Sequence, residues 1–110
     1  MSTTAIGLTI DTEATAAYIQ LSDGKIVRTV RVAKRVNVDL DDLGVAVGIE
    51  LLTLRGPYPV EEIIAATHVR SEQEASIRGL LAGDLAQLTI QTASSDLGGR
   101  AVARGDFLTI

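Results

Sequence analysis

The chain has 110 residues, enough for one domain with one modest core. A net charge of −4 and only three aromatics (Tyr18, Tyr58, Phe107) argue against a binder of phosphate backbones or stacked bases. The absence of cysteine excludes disulfides, thiolate metal sites and a Cys nucleophile.

The start, Met-Ser-Thr-Thr-Ala-Ile, has no basic n-region and no apolar h-region, so no secretory signal is expected. No run is long enough to cross a bilayer. The expectation is a soluble cytoplasmic protein, or a virion component if phage-encoded, with no cofactor and no nucleic-acid or membrane partner.

Residues 5–11 place Ile6, Leu8 and Ile10 on one face, a strand pattern. Asp11-Thr-Glu-Ala-Thr15 supplies turn chemistry. A second strand follows over 16–21, with Ala17, Ile19 and Leu21 inward and Tyr18 and Gln20 outward. Asp23-Gly24 is a two-residue turn signal, which predicts that this strand pairs with the next one, over 25–32. There Ile26, Val30 and Val32 share a side into which Arg28 intrudes, while Thr29 and Arg31 take the other.

The segment Val36-Asn-Val-Asp-Leu-Asp-Asp-Leu-Gly-Val-Ala-Val-Gly-Ile-Glu-Leu51 alternates on both sides of a tight turn and predicts a β-hairpin. Val36, Val38 and Leu40 are expected on a core face with Val45, Val47, Ile49 and Leu51. Asn37, Asp39 and Asp41 are expected on the outer face with Ala46, Gly48 and Glu50. Residues 25–35 carry Lys25, Arg28, Arg31, Lys34 and Arg35 with no acid, whereas the hairpin carries Asp39, Asp41, Asp42 and Glu50 with no base. The simpler reading pairs these charges across neighbouring strands. The functional reading makes the basic strand a docking edge.

Arg55-Gly-Pro-Tyr-Pro59 breaks the sheet. Beyond it Val60, Ile63, Ile64 and Thr67 follow helical spacing, with Glu61 and Glu62 in the first turn and His68 just past the end. Ser71-Glu-Gln-Glu74 has the form of a capping box, and Ala75, Ile77, Leu80 and Leu81 predict the buried side of a second short helix. A helix-turn-helix reading is set aside because Arg78 is the only basic residue on that helix. Alternation returns over 86–92, residues 94–99 read as a loop, and 100–104 with 107–110 read as one strand interrupted at Gly105-Asp106 or as two short strands. Arg104-Gly-Asp106 reads as a turn.

Two strings resemble a known family. Ile10-Asp-Thr-Glu-Ala-Thr-Ala-Ala-Tyr-Ile-Gln-Leu21 is similar to the opening signature of the small bacterial and phage proteins of the DUF2283 family, Tyr-Asp-Pro-Glu-Ala-Asp followed by Tyr-Ile and Leu. The hairpin is similar to the second signature, Asn-x-Asp-x-Asp-x-x-Gly-x-x-x-Gly-Ile-Glu. The resemblance covers about residues 10–54, leaving 55–110 as a helical and β extension of a single domain. Thr12 and Thr15 depart from it, standing where the family usually has Pro and Asp. The resemblance implies a small sheet domain and, through family members set beside toxin-like genes, an antitoxin-like or partner-binding role.

On the outer face Gly48 is expected to open a notch beside Asn37, Asp39 and Glu50. Asp39 and Glu50 are the candidate ligands for a hard cation, or a candidate acid and base. Gly48 also fits close approach of another backbone, which makes this face a packing or dimer surface. A structural role ranks first, an interface second, metal third and catalysis last, because Asp39-x-Asp41-x-x-Gly44 lacks the bidentate Glu of an EF-hand loop.

The expected fold is α+β: an antiparallel β-meander of about five strands, two short helices, and a C-terminal strand or hairpin. The expected function is a non-enzymatic protein-interaction module, homo-oligomeric or partner-binding, using Asn37, Asp39, Gly48, Glu50, Arg28 and Arg31. The alternatives are a structural accessory protein of a phage particle or similar assembly and a small divalent-metal-dependent enzyme.

Overall fold

The computed structural model describes residues 6–86 and the backbone of residues 100–104. Five strands, β1 (Gly7–Asp11), β2 (Ala16–Gln20), β3 (Arg28–Ala33), β4 (Val36–Leu40) and β5 (Ala46–Leu51), precede two helices, α1 (Val60–Ala66) and α2 (Ser71–Leu80). A last strand, β6 (Arg100–Arg104), pairs with β1. The expected strands over 86–92 and 107–110, the loop over 94–99 and the Arg104-Gly-Asp106 turn lie wholly or mainly outside the described residues.

All strand pairs are antiparallel and the sheet order is β3-β4-β5-β2-β1-β6. The α+β class and the strand count agree with expectation, but the meander is broken once. Strand β2 pairs with β5 rather than with β3 across Asp23-Gly24. Burial explains the choice. Ile19 opposite Ile49 puts two fully buried side chains at the centre, whereas β3 carries exposed Arg28 and Arg31 and is better placed at an edge. After β2 the chain stays beside β5, with the Leu21 and Ser22 amides donating to the Val47 carbonyl, and then crosses to the far side of β4.

One face of the sheet is the core. Leu8, Ile10, Ile19, Val38, Ile49 and Leu51 pack against Ile63 of α1 and Ile77 and Leu80 of α2. Each such fully buried aliphatic contributes about 1.5–3 kcal/mol, so this layer dominates the fold. In α2 the buried stripe is Gln73, Ile77 and Leu80, at i, i+4 and i+7. Ala75, expected inside, is exposed. Gln73 is inside because its Nε2 donates to the Leu21 carbonyl at 2.6 Å, tying α2 to the end of β2.

The capping-box expectation fails by one residue. Arg70 is the N-cap of α2 and no side chain caps it, so Ser71 is already helical. Arg78 does not present a free base-reading face. It binds Glu61 of α1 through two nitrogens at 2.8 and 3.0 Å, with Glu74 at 3.4 Å. His68 is exposed and its backbone joins the sheet: Val45 forms a parallel bridge with it, and the Ala46 amide donates to its carbonyl at 2.9 Å. No helix among the described residues is long and apolar enough to cross a membrane.

Candidate functional site

The outer face of the sheet collects the polar residues of β2, β4 and β5. Asn37 lies opposite Glu50, Asp39 opposite Gly48, and Tyr18 of β2 opposite Glu50 from the other side. Alternation puts these side chains on one face, because every second residue of a strand points the same way.

A bulge between Asp39 and Leu40 then shifts the parity of the hairpin. Leu40 pairs with Ala46, so Ala46 joins the core and Val47 is the extra residue. This corrects the expected faces: Ala46 is inside, Val45 is only half-buried, and Val47 is buried outside the core cluster, against Gly24. A bulge keeps two successive residues on one side, which is how Val47 and Gly48 come to share the outer face.

The turn consumes Asp41. Its Oδ1 accepts hydrogen bonds from the Leu43 and Val45 amides, both at 2.9 Å, and its carbonyl accepts from Gly44. Gly44 has φ +79°, the left-handed region where a Cβ is costly. Asp41 and Gly44 therefore form the turn and leave the outer face to Asn37, Asp39 and Glu50. Asp11 acts in the same way, with Oδ1 accepting from the Glu13 and Ala14 amides at the β1–β2 turn.

The expected notch at Gly48 is filled. The Tyr18 hydroxyl lies directly over the Gly48 α-carbon, so close that a Cβ there would overlap the hydroxyl and the ring. From that seat Tyr18 donates to Asp39 Oδ2 at 2.7 Å, while the Thr29 hydroxyl of β3 donates to Asp39 Oδ1. Asn37 Nδ2 donates to Glu50 Oε1 at 2.9 Å. Burial, then the bond to Asp39, then the negative charges of Asp39 and Glu50, push the Tyr18 phenol well above the ordinary tyrosine range. The proton stays on Tyr18, and Asp39 is the acceptor.

These partners also replace the expected pairing of acids with Arg28 and Arg31. In the β3–β4 register Thr29 stands opposite Asp39 and Arg31 opposite Asn37. No carboxylate lies within ion-pair distance of either arginine among the described residues. Arg31 instead donates to the Lys34 carbonyl at 3.2 Å. Nor is any group of three or more His, Cys, Asp or Glu side chains arranged to hold a metal among the described residues. Asp39 and Glu50 share a face, but each is already an acceptor for a neighbouring strand. Beside them lies an open depression of about 490 Å³, whose lining includes Tyr18, Gln20, Asp23, Ile26, Asp39 and Val47.

Residues 8–55 match DUF2283, described as a protein of unknown function. This segment belongs to the DUF2283 family. Neither a comparison with curated proteins nor one with solved structures gives a match. The two DUF2283-like strings, distant in sequence, meet in space. The Tyr18-Ile19 pair of the first supplies the phenol and a core residue, and the second supplies Asp39 to receive the phenol and Gly48 to seat it. Asn37 and Glu50, the ends of the second string, bond to each other. Sequence reasoning placed Tyr18 outward but missed this role. Its signal was a glycine within an alternating strand, which marks close approach of another group.

Proposed function

We propose that the chain is a non-enzymatic protein-interaction module, acting in the cytoplasm by binding a partner or a second copy. The observation that carries this reading is the division of labour on the outer surface. The acids that resembled a site are acceptors within the sheet, whereas the cations of 25–35 and the aliphatic side chains of Ile26, Val27 and Leu43 stand exposed beside them. Exposed aliphatics grouped with unpaired charge suit a protein interface better than a reaction centre.

Light scattering coupled to size exclusion tests this. The expected result is a mass at a multiple of 11.6 kDa, or stoichiometric retention of a partner from the native host. A strict monomer that retains nothing overturns the reading.

A further inference from the structure

We propose that the free edge of β3 receives an extended, acidic segment of a partner protein as an added strand, with an aliphatic residue of that segment anchored beside Val27 and Leu43. The inference rests on the interaction reading above and specifies its surface and the chemistry of its occupant.

Among the described residues β3 pairs only with β4, so its other side presents unpaired amides and carbonyls. Such a row is a template for strand addition, where main-chain bonds give affinity and side chains give selectivity. Lys25, Arg28, Arg31, Lys34 and Arg35 are all exposed, in a segment without acid and in a chain of net charge −4. The acid on the neighbouring strand, Asp39, takes its hydrogen bonds from Tyr18 and Thr29 and forms no ion pair with these cations among the described residues. The contrast with Arg78, which is clasped by Glu61, marks the edge cations as available.

The edge is also polarised along its length. At one end Val27 and Leu43 are 56% and 81% exposed and border a hollow of about 300 Å³ with Arg28, Asp41 and Asp42. At the other end Arg31, Lys34 and Arg35 are exposed in a stretch of sequence without an acid. A strand running along this edge therefore meets aliphatic surface first and positive charge second. A bulge between Arg31 and Ala33 limits regular pairing to the first part.

Charge and bulge together guard the edge against indiscriminate pairing. Two copies of β3 joined about a two-fold axis would set the same cations against themselves, which disfavours a second copy. The repulsion that excludes self and basic strands admits an acidic one, so one device gives both protection and selectivity. A nucleic acid fits less well, because no aromatic platform among the described residues accompanies these cations.

The test uses a labelled peptide of roughly ten residues, aliphatic at one end and alternating Glu and Val at the other, read by fluorescence anisotropy. Controls are the same peptide N-methylated at alternate amides, a Lys-for-Glu version, and a single-stranded oligonucleotide. The expected result is binding of the acidic peptide alone, weakened by salt and about tenfold by Arg28→Glu with Arg31→Glu. Slowed amide exchange within residues 28–31 should accompany it. The milder pair Arg28→Gln and Arg31→Gln, which keeps shape, should weaken binding less. An unshifted melting point shows that either variant is folded.

No binding, equal binding of the N-methylated peptide or the oligonucleotide, or indifference to both variant pairs overturns the proposal. If the wild type and the reversed variant show the same oligomer or retain the same partner, the interaction reading stands and the β3 edge is excluded. If neither associates with anything yet the acidic peptide binds as described, the edge chemistry stands and the broader reading falls.

Discussion

Replacing Gly48 by alanine asks one methyl group to share space with a tyrosine. The new Cβ would overlap the Tyr18 hydroxyl and sit 3.0 Å from Cε2, so the ring must leave its seat. Gly48 is not among the positive-φ glycines, so the backbone itself accepts alanine. The cost is therefore the lost Tyr18–Asp39 bond plus the displaced ring. A hydrogen bond to a charged group contributes about 1.5–3 kcal/mol, towards the lower end at a half-buried site. Lost packing brings the expected destabilisation to about 2–3 kcal/mol. For a chain of this size that lowers Tm by roughly 10–15 °C.

The decisive arm is the same substitution in a Tyr18→Ala background, where the clash is gone. There Gly48→Ala should be neutral or stabilising by up to about 1 kcal/mol, because glycine within a strand is entropically costly. Urea unfolding of the four proteins closes the cycle, with an expected coupling of about 2–4 kcal/mol. Equal effects of Gly48→Ala in both backgrounds, within about 0.5 kcal/mol, would refute the seating of Tyr18 over Gly48.

Two further predictions concern the tyrosines and the β1–β2 turn. Both tyrosines, Tyr18 and Tyr58, have phenols raised above the ordinary range, each chiefly by burial. A phenol raised in the folded state stabilises the fold below its unfolded pKa, near pH 10, and that contribution is lost as pH rises through the folded value. Spectrophotometric titration should show phenolate appearing at higher pH in the folded protein than in the unfolded chain, and Tyr18→Phe should flatten the alkaline loss of stability. As much phenolate near pH 10 in the folded protein as in the unfolded chain would contradict this. Thr15 sits at φ +50°, a costly conformation for a β-branched residue, where the family usually has Asp. Thr15→Asn should raise stability by about 0.5–1 kcal/mol, because Asn tolerates this region, and thermal melts should show Tm rising by several degrees.

The fold was legible where alternation was strict. The strands over 7–11, 16–20 and 36–40 and both helices lie close to where spacing places them, because a half-buried strand and a one-sided helix must repeat at periods 2 and 3.6. What was hidden came from one-residue events and from competition between distant strands. Val45, Ala46 and Val47 are all apolar, so nothing in their order reveals that the bulge falls at Val47 and sends Ala46 inward. Asp23-Gly24 is a sound local turn signal, but β5 offers β2 a fully buried partner and β3 does not. Ser71 has the chemistry of a cap, yet Arg70 takes the position.

The site was half legible. Asn37, Asp39, Gly48 and Glu50 do share a face, but Tyr18, which turns an acidic notch into a filled seat, arrives from a strand separated from them in sequence. Only the pairing of β2 with β5 brings it there. The same pairing leaves β3 at the edge, still beside β4, and Arg28 and Arg31 form no ion pair with the hairpin's acids among the described residues.

The central claim is that the acids of the DUF2283 segment serve the sheet rather than an external ligand. Thermal unfolding of the wild type and of Asp39→Asn, each with and without millimolar Ca²⁺ or Mg²⁺, tests it most directly. The account predicts that Asp39→Asn lowers Tm by weakening the bonds from Tyr18 and Thr29, and that neither cation shifts either protein. A wild-type Tm that rises with divalent cation, with the rise abolished by Asp39→Asn, would contradict it.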